Sequence, residues 1–157
     1  MNEFKFAKEN LYKCLFLEPL YFEANQLMGD IFFNEDDFES SSIYYTKAYK
    51  INPQNTLTVK GLLSSLYKLK KFRKALRFAK DLNFKDFKDP VIYIVLFKSV
   101  LGYHKKSNEE IDIEPHSPAM IQCLHYLDLA REYSLGDLQL QKEIAFNYYS
   151  IHCYQNV

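Results

Sequence analysis

FEANQLMGDIFFNEDDFESSSIYYTKAYKINPQN, running from Phe22 to Asn55, decides the fold. Its first part, Glu23 to Phe33, carries apolar residues at helical spacing: Ala24, Leu27, Met28, Ile31 and Phe32. Asn34 to Asp37 is a polar break. Phe38 to Lys50 reads as a second helix, with Ser41, Tyr45 and Ala48 at steps of four and three. Asn52-Pro53 stops it, because proline cannot continue a helix and constrains the residue before it. The stretch is thus two helices joined by a short turn.

The phrase repeats on either side at a step of 34. Pro19 and Pro53 close similar phrases, Leu17-Glu18-Pro19 and Ile51-Asn52-Pro53. The same step links Phe4, Phe38 and Phe72, and the small residues Ala7, Ser41 and Ala75. It also links Met28 to Leu62 and Phe32 to Leu66. Agreement over five columns calls for a repeated structural unit. The next unit therefore runs from Leu57 to Leu69, breaks at Lys70-Lys71, and resumes from Phe72 to Leu82.

A 34-residue helix-turn-helix unit resembles the tetratricopeptide repeat family. In the first full unit the resemblance rests on Met28-Gly29 with Phe32, and on Ser41, Tyr45, Ala48 and Pro53. The unit 56–88 departs from it: Leu63 replaces the small residue, Ala79 the aromatic, Leu82 the small one and Phe87 the proline. Residues 4–19 match a second helix alone, through Ala7, Leu11, Cys14 and Pro19. Residues 90–134 read as a degenerate repeat with a loop over 105–117, and 137–154 as a terminal helix. Phe97 falls where a small residue belongs. Ser117-Pro118 reads as an N-cap followed by proline at the first helical position, and Gly136 as a break. The resemblance implies one all-α domain over 1–157. It would be a right-handed solenoid of stacked antiparallel helix pairs, about three to four repeats with half-repeats at the ends.

The same resemblance implies a partner-binding groove lined by the first helix of each pair. The implied residues are Glu23, Gln26, Asp30 and Phe33, then Leu57, Lys60, Ser64 and Tyr67. Helical geometry agrees, since each set lies along one stripe. Charges, an amide, a hydroxyl and aromatics suit a peptide, for which aromatics give area and polar groups give register. The stripe differs from the carboxylate clamp by which some of these repeats hold chaperone tails. Gln26, Asp30, Lys60 and Gly61 stand at its positions, and Asp30 repels a carboxylate.

Composition and motifs set the outer limits. The 157 residues include 13 Tyr and 13 Phe, too many aromatics for a disordered tail. The net charge is zero, so no global field draws in nucleic acid or membrane. Charge is nonetheless segregated: Glu18 to Glu39 holds seven acids and no base, while Lys60 to Lys88 holds ten bases and two acids. Two solvated faces or a partner-facing surface both fit this asymmetry. The basic stretch interleaves Phe72, Leu76, Phe78 and Ala79, which allows nucleic-acid binding as the alternative function. The repeat columns instead place Phe72, Ala75 and Ala79 in the core, with lysines on the solvated face. The loop with Glu109, Glu110, Ile111, Asp112 and Ile113 reads equally as a docking strip or as plain disorder.

Cys14, Cys123 and Cys153 form no disulfide pattern and suit a reducing, cytoplasmic or nuclear setting. Cys123, His125, His152 and Cys153 have poor metal-ligand spacing, so no metal is expected. No phosphate loop, nucleophile elbow or paired-histidine motif occurs. The expectation is a non-catalytic scaffold without cofactor, which binds a protein or peptide and does not engage a membrane. Exposed apolar residues at the two ends, Phe4, Phe146 and Tyr149, predict self-association or membership of a larger assembly.

Overall fold

The computed structural model describes residues 3–105, 111 and 113–155, and the side chains of 4–105, 111 and 113–151. Among the described residues the chain is all-helical, with eight α-helices and no strand. In order they are α1 (Glu3–Leu17), α2 (Phe22–Asn34), α3 (Phe38–Ile51), α4 (Thr56–Lys68), α5 (Phe72–Ala79), α6 (Pro90–Tyr103), α7 (Pro118–Tyr133) and α8 (Leu138–Gln155). A single 3-10 turn, Phe84–Asp86, follows α5. The chain divides into two compact units, Met1–Leu69 and Lys70–Val157. The boundary falls inside the segment 56–88, so α4 belongs to one unit and α5 to the other.

In the first unit α1 packs on α2, α2 on α3, and α3 on α4, while α2 also touches α4. Local sequence sets the ends. Asp37 caps α3 by accepting from the Ser40 amide at 3.0 Å, and that bond holds its carboxyl below the usual range. Asn55 caps α4 in the same way, from the Thr58 amide at 2.9 Å. The turn into α2 has no such cap. Buried Asn25 ties it instead, donating its amide to the Pro19 and Tyr21 carbonyls at 3.1 and 2.8 Å. Lys8 of α1 reaches Glu35 beyond the end of α2, an ion pair of 2.6 Å, with its ammonium 5.1 Å from the Phe32 ring centre.

The core of this unit turns on one aromatic ring. Tyr45 of α3 lies between Gly29 of α2 and Gly61 of α4. A Cβ on Gly29 would fall 2.7 Å from Tyr45 Cδ1, and one on Gly61 2.3 Å from Tyr45 Cζ. Both glycines are therefore needed for the close approach. Beside the ring, Ser41 Oγ lies 2.9 Å from the Gly29 carbonyl and 2.9 Å from Ser65 Oγ. Ser65 Oγ lies 2.8 Å from the Gly61 carbonyl. This buried hydroxyl pair joins the three helices without leaving either hydroxyl unpartnered.

In the second unit α5 packs on α6, α6 on α7, and α7 on α8. Phe72 of α5 lies against Gly102 of α6, where an added Cβ would stand 2.5 Å from Phe72 Cζ. Asp89 caps α6, with Pro90 in its first turn. Ser117 caps α7 by accepting from the Met120 amide at 3.2 Å, with Pro118 following, as the sequence indicates. Gly136, at φ 92°, makes the break before α8.

Two expectations need correction. The helix expected over Phe72 to Leu82 ends at Ala79. The chain turns so that Phe87 enters the core at 2% exposure, and buried Tyr93 donates its hydroxyl to the Phe84 and Phe87 carbonyls. Phe84 meets Tyr93 and Tyr126 edge-on. Burying Phe87 and packing Phe84 against Tyr93 and Tyr126 outweighs one more helical turn. Leu27, expected in the apolar stripe of α2, is 47% exposed, because the buried arc of α2 runs through Ala24, Met28 and Ile31.

Candidate partner-binding face

The eight residues expected in the groove all lie in the first unit, on α2 and α4. On α4 the buried residues Val59, Leu62, Leu63 and Leu66 define the inner arc. Lys60, Ser64 and Tyr67 fall on the opposite, half-exposed arc, with Leu57 at 55% exposure. On α2, Glu23 is exposed, and Gln26, Asp30 and Phe33 are half-buried. Helices α2 and α4 are joined beside the stripes, at buried Thr58. Thr58 Oγ1 of α4 donates to Gln26 Oε1 of α2 at 3.0 Å.

Asp30 has a structural bond as well as an exposed edge. It accepts the Tyr45 hydroxyl at 2.5 Å. Burial, then this carboxylate, push the Tyr45 phenol well above the ordinary tyrosine value. The core ring between Gly29 and Gly61 therefore ends in a polar tip at the α2/α4 face. Phe33 is engaged too, edge-on to Phe38 with ring centres 5.2 Å apart. Of the eight, Glu23 and Leu57 are the exposed ones.

Leu27, assigned by its spacing to the apolar stripe, belongs to this face instead. It lies four residues from Glu23 and three from Asp30, on the same arc. With Leu57 it gives the face two exposed apolar side chains, 47% and 55% accessible. The missed signal was Gly61. This glycine stands 32 residues after Gly29, rather than 34, and it meets Tyr45 from α4.

In the second unit, the basic stretch divides as the repeat columns predict. Ala75 and Ala79 are buried, Phe72 is half-buried, and Arg73, Lys74, Arg77 and Lys80 are exposed. A depression of about 520 Å³ adjoins this helix, lined by Lys70, Arg73, Lys74, Arg77 and Tyr103 among others, with no carboxylate in its wall.

Among the described residues no group of three or more His, Cys, Asp or Glu converges to hold a metal ion. Cys123 is buried and its thiol is pushed up to about 12 by desolvation, whereas His125 is exposed on the same helix. The side chains of His152 and Cys153 lie outside the described residues, as do 106–110 and 112 of the acidic loop. Ile113 of that loop is buried, at 8% exposure. No described helix is long and apolar enough to cross a membrane. No protein-family model matches this chain, and no curated protein matches it.

Proposed function

We propose that this chain is a non-catalytic protein-interaction scaffold, a tetratricopeptide-like right-handed solenoid working as an intracellular complex subunit. It holds a partner peptide or helix on the α2/α4 face, through Glu23, Gln26, Asp30, Phe33, Leu57, Lys60, Ser64 and Tyr67, joined by Leu27. The observation that carries this reading is the side-by-side placing of the two stripes, pinned by the Thr58–Gln26 bond and backed by Tyr45. Two exposed leucines flanked by carboxylates, an amide and a lysine are a small apolar centre with a polar rim.

A photo-crosslinking residue at Leu27 in native lysate tests it, compared with the same protein carrying Glu23→Arg and Ser64→Arg. A discrete adduct that the two arginines abolish, with unchanged melting, supports the face. An adduct that survives both substitutions removes it.

Nucleic-acid binding through 60–88 is the second reading, favoured by the carboxylate-free depression beside α5. It predicts salt-dependent retention on single-stranded nucleic acid that Arg73→Glu with Arg77→Glu abolishes. Retention indifferent to salt or to these substitutions rules it out.

A further inference from the structure

Helix α1 turns one face to α2 and leaves the other uncovered. Ala7, Lys8, Leu11, Cys14 and Leu15 are half-buried on the inner side. On the outer side Phe6, Phe16 and Leu17 are 72%, 86% and 82% exposed. At about 100° per residue, Phe6, Glu9, Lys13, Phe16 and Leu17 fall within roughly 100° of arc. An isolated exposed phenylalanine is ordinary; a stripe of them along one helix marks a surface meant to be covered.

The stripe is self-complementary. Its order is aromatic, acid, base, aromatic, at steps of three, four and three: Phe6, Glu9, Lys13, Phe16. A two-fold axis level with residue 11 exchanges position 6 with 16 and position 9 with 13. Among the described residues neither Glu9 nor Lys13 forms an ion pair within its own chain. We propose that α1 is a dimerisation helix that pairs antiparallel with α1 of a second copy. Phe6 then meets the second copy's Phe16, Glu9 meets its Lys13, and the axis repeats both contacts, as an isologous interface requires. A parallel pairing would set Glu9 against Glu9 and Lys13 against Lys13, so charge selects the antiparallel arrangement.

Area is consistent with this occupant. Phe6, Phe16, Leu17 and Leu20 are each more than half exposed, and Tyr12 is 49% exposed. Within the stripe itself Phe6, Phe16 and Leu17 offer on the order of 450 Å² per copy. A standard interface buries about 800 Å² per partner, and the stems of Glu9 and Lys13 supply part of the remainder. The inference stands apart from the α2/α4 face, since it uses none of its residues.

Sedimentation equilibrium of the full chain over the micromolar range provides the test. The wild type should be a monomer–dimer system. Phe16→Ser, at a position already open to solvent, should make it monomeric with an unchanged helical spectrum. Glu9→Lys sets ammonium against ammonium across the axis, and Lys13→Glu sets carboxylate against carboxylate. Each alone should weaken pairing about tenfold. An equimolar mixture of the two single variants should recover the dimer, because every facing pair is then opposite in charge. The double variant carrying both changes should also pair. A wild type that stays monomeric overturns the proposal. So does a dimer indifferent to the two charge reversals, or a mixture no more associated than its components.

Discussion

Gly61→Ala should destabilise the first unit, although in an open helix the same change would stabilise it. An alanine Cβ at position 61 would stand 2.3 Å from Tyr45 Cζ and 2.6 Å from both Cε atoms. The ring cannot retreat. Gly29 faces it on the other side, where an added Cβ would stand 2.7 Å away, and the Tyr45 hydroxyl is held by Asp30. Overpacking of this kind costs about 1–3 kcal/mol. The helix gains about 1 kcal/mol when glycine becomes alanine, so the net loss is about 1 kcal/mol, up to ~2 kcal/mol. That lowers the melting temperature by about 2–4 °C per kcal/mol for a chain of this size. The discriminating measurement is urea unfolding followed by far-UV circular dichroism, in two backgrounds. Leucine at position 45 ends near the tyrosine Cδ level. In Tyr45→Leu the penalty of Gly61→Ala should vanish and the change become stabilising. The penalty of Gly29→Ala should largely persist, since its nearest atom is Cδ1. If Gly61→Ala stabilises the otherwise wild-type chain, or if its effect is the same in both backgrounds, the ring is not clasped between the two glycines.

Three further outcomes follow from the same physical reasoning. Tyr93→Phe removes the donor to the Phe84 and Phe87 carbonyls and should cost about 1–3 kcal/mol, read as a lower urea midpoint at unchanged slope. The Tyr45 phenol is raised in the folded state by burial and by Asp30, so its contribution to stability is complete below the unfolded value of about 10. Stability should therefore fall as pH rises beyond that value, less steeply in Tyr45→Phe; identical alkaline profiles would contradict the assignment. Cys123, buried and pushed up to about 12, should resist a thiolate-selective reagent in the native protein and react on unfolding, as followed on its peptide by mass spectrometry. Rapid native labelling would mean the α7 core opens.

The features legible in the amino-acid order are local. Periodicity located the helices, because one buried face forces apolar residues to recur at the helical step. Ser117-Pro118 marked the start of α7 and Gly136 the break before α8, because caps and left-handed turns depend on a few adjacent atoms. The 34-residue phrase placed Ser41, Tyr45 and Ala48 on the buried face of α3. Which neighbour each face meets depends on how the helices pack. Tyr45 needed Gly61, a position out of step with the repeat, because contact depends on the rotation of α4 and not on a column. Asp30 reads in sequence as an open groove carboxylate, yet it accepts a core hydroxyl that arrives from another helix. Leu27 reads as core and is exposed, because the buried arc of α2 is set by where α3 and α4 lie. Helix α5 ends three residues before Leu82 because Phe84 and Phe87 find Tyr93 and Tyr126, partners that no local rule could supply. Helix propensity acts over a turn, whereas the burial that overrides it is set by residues far along the chain.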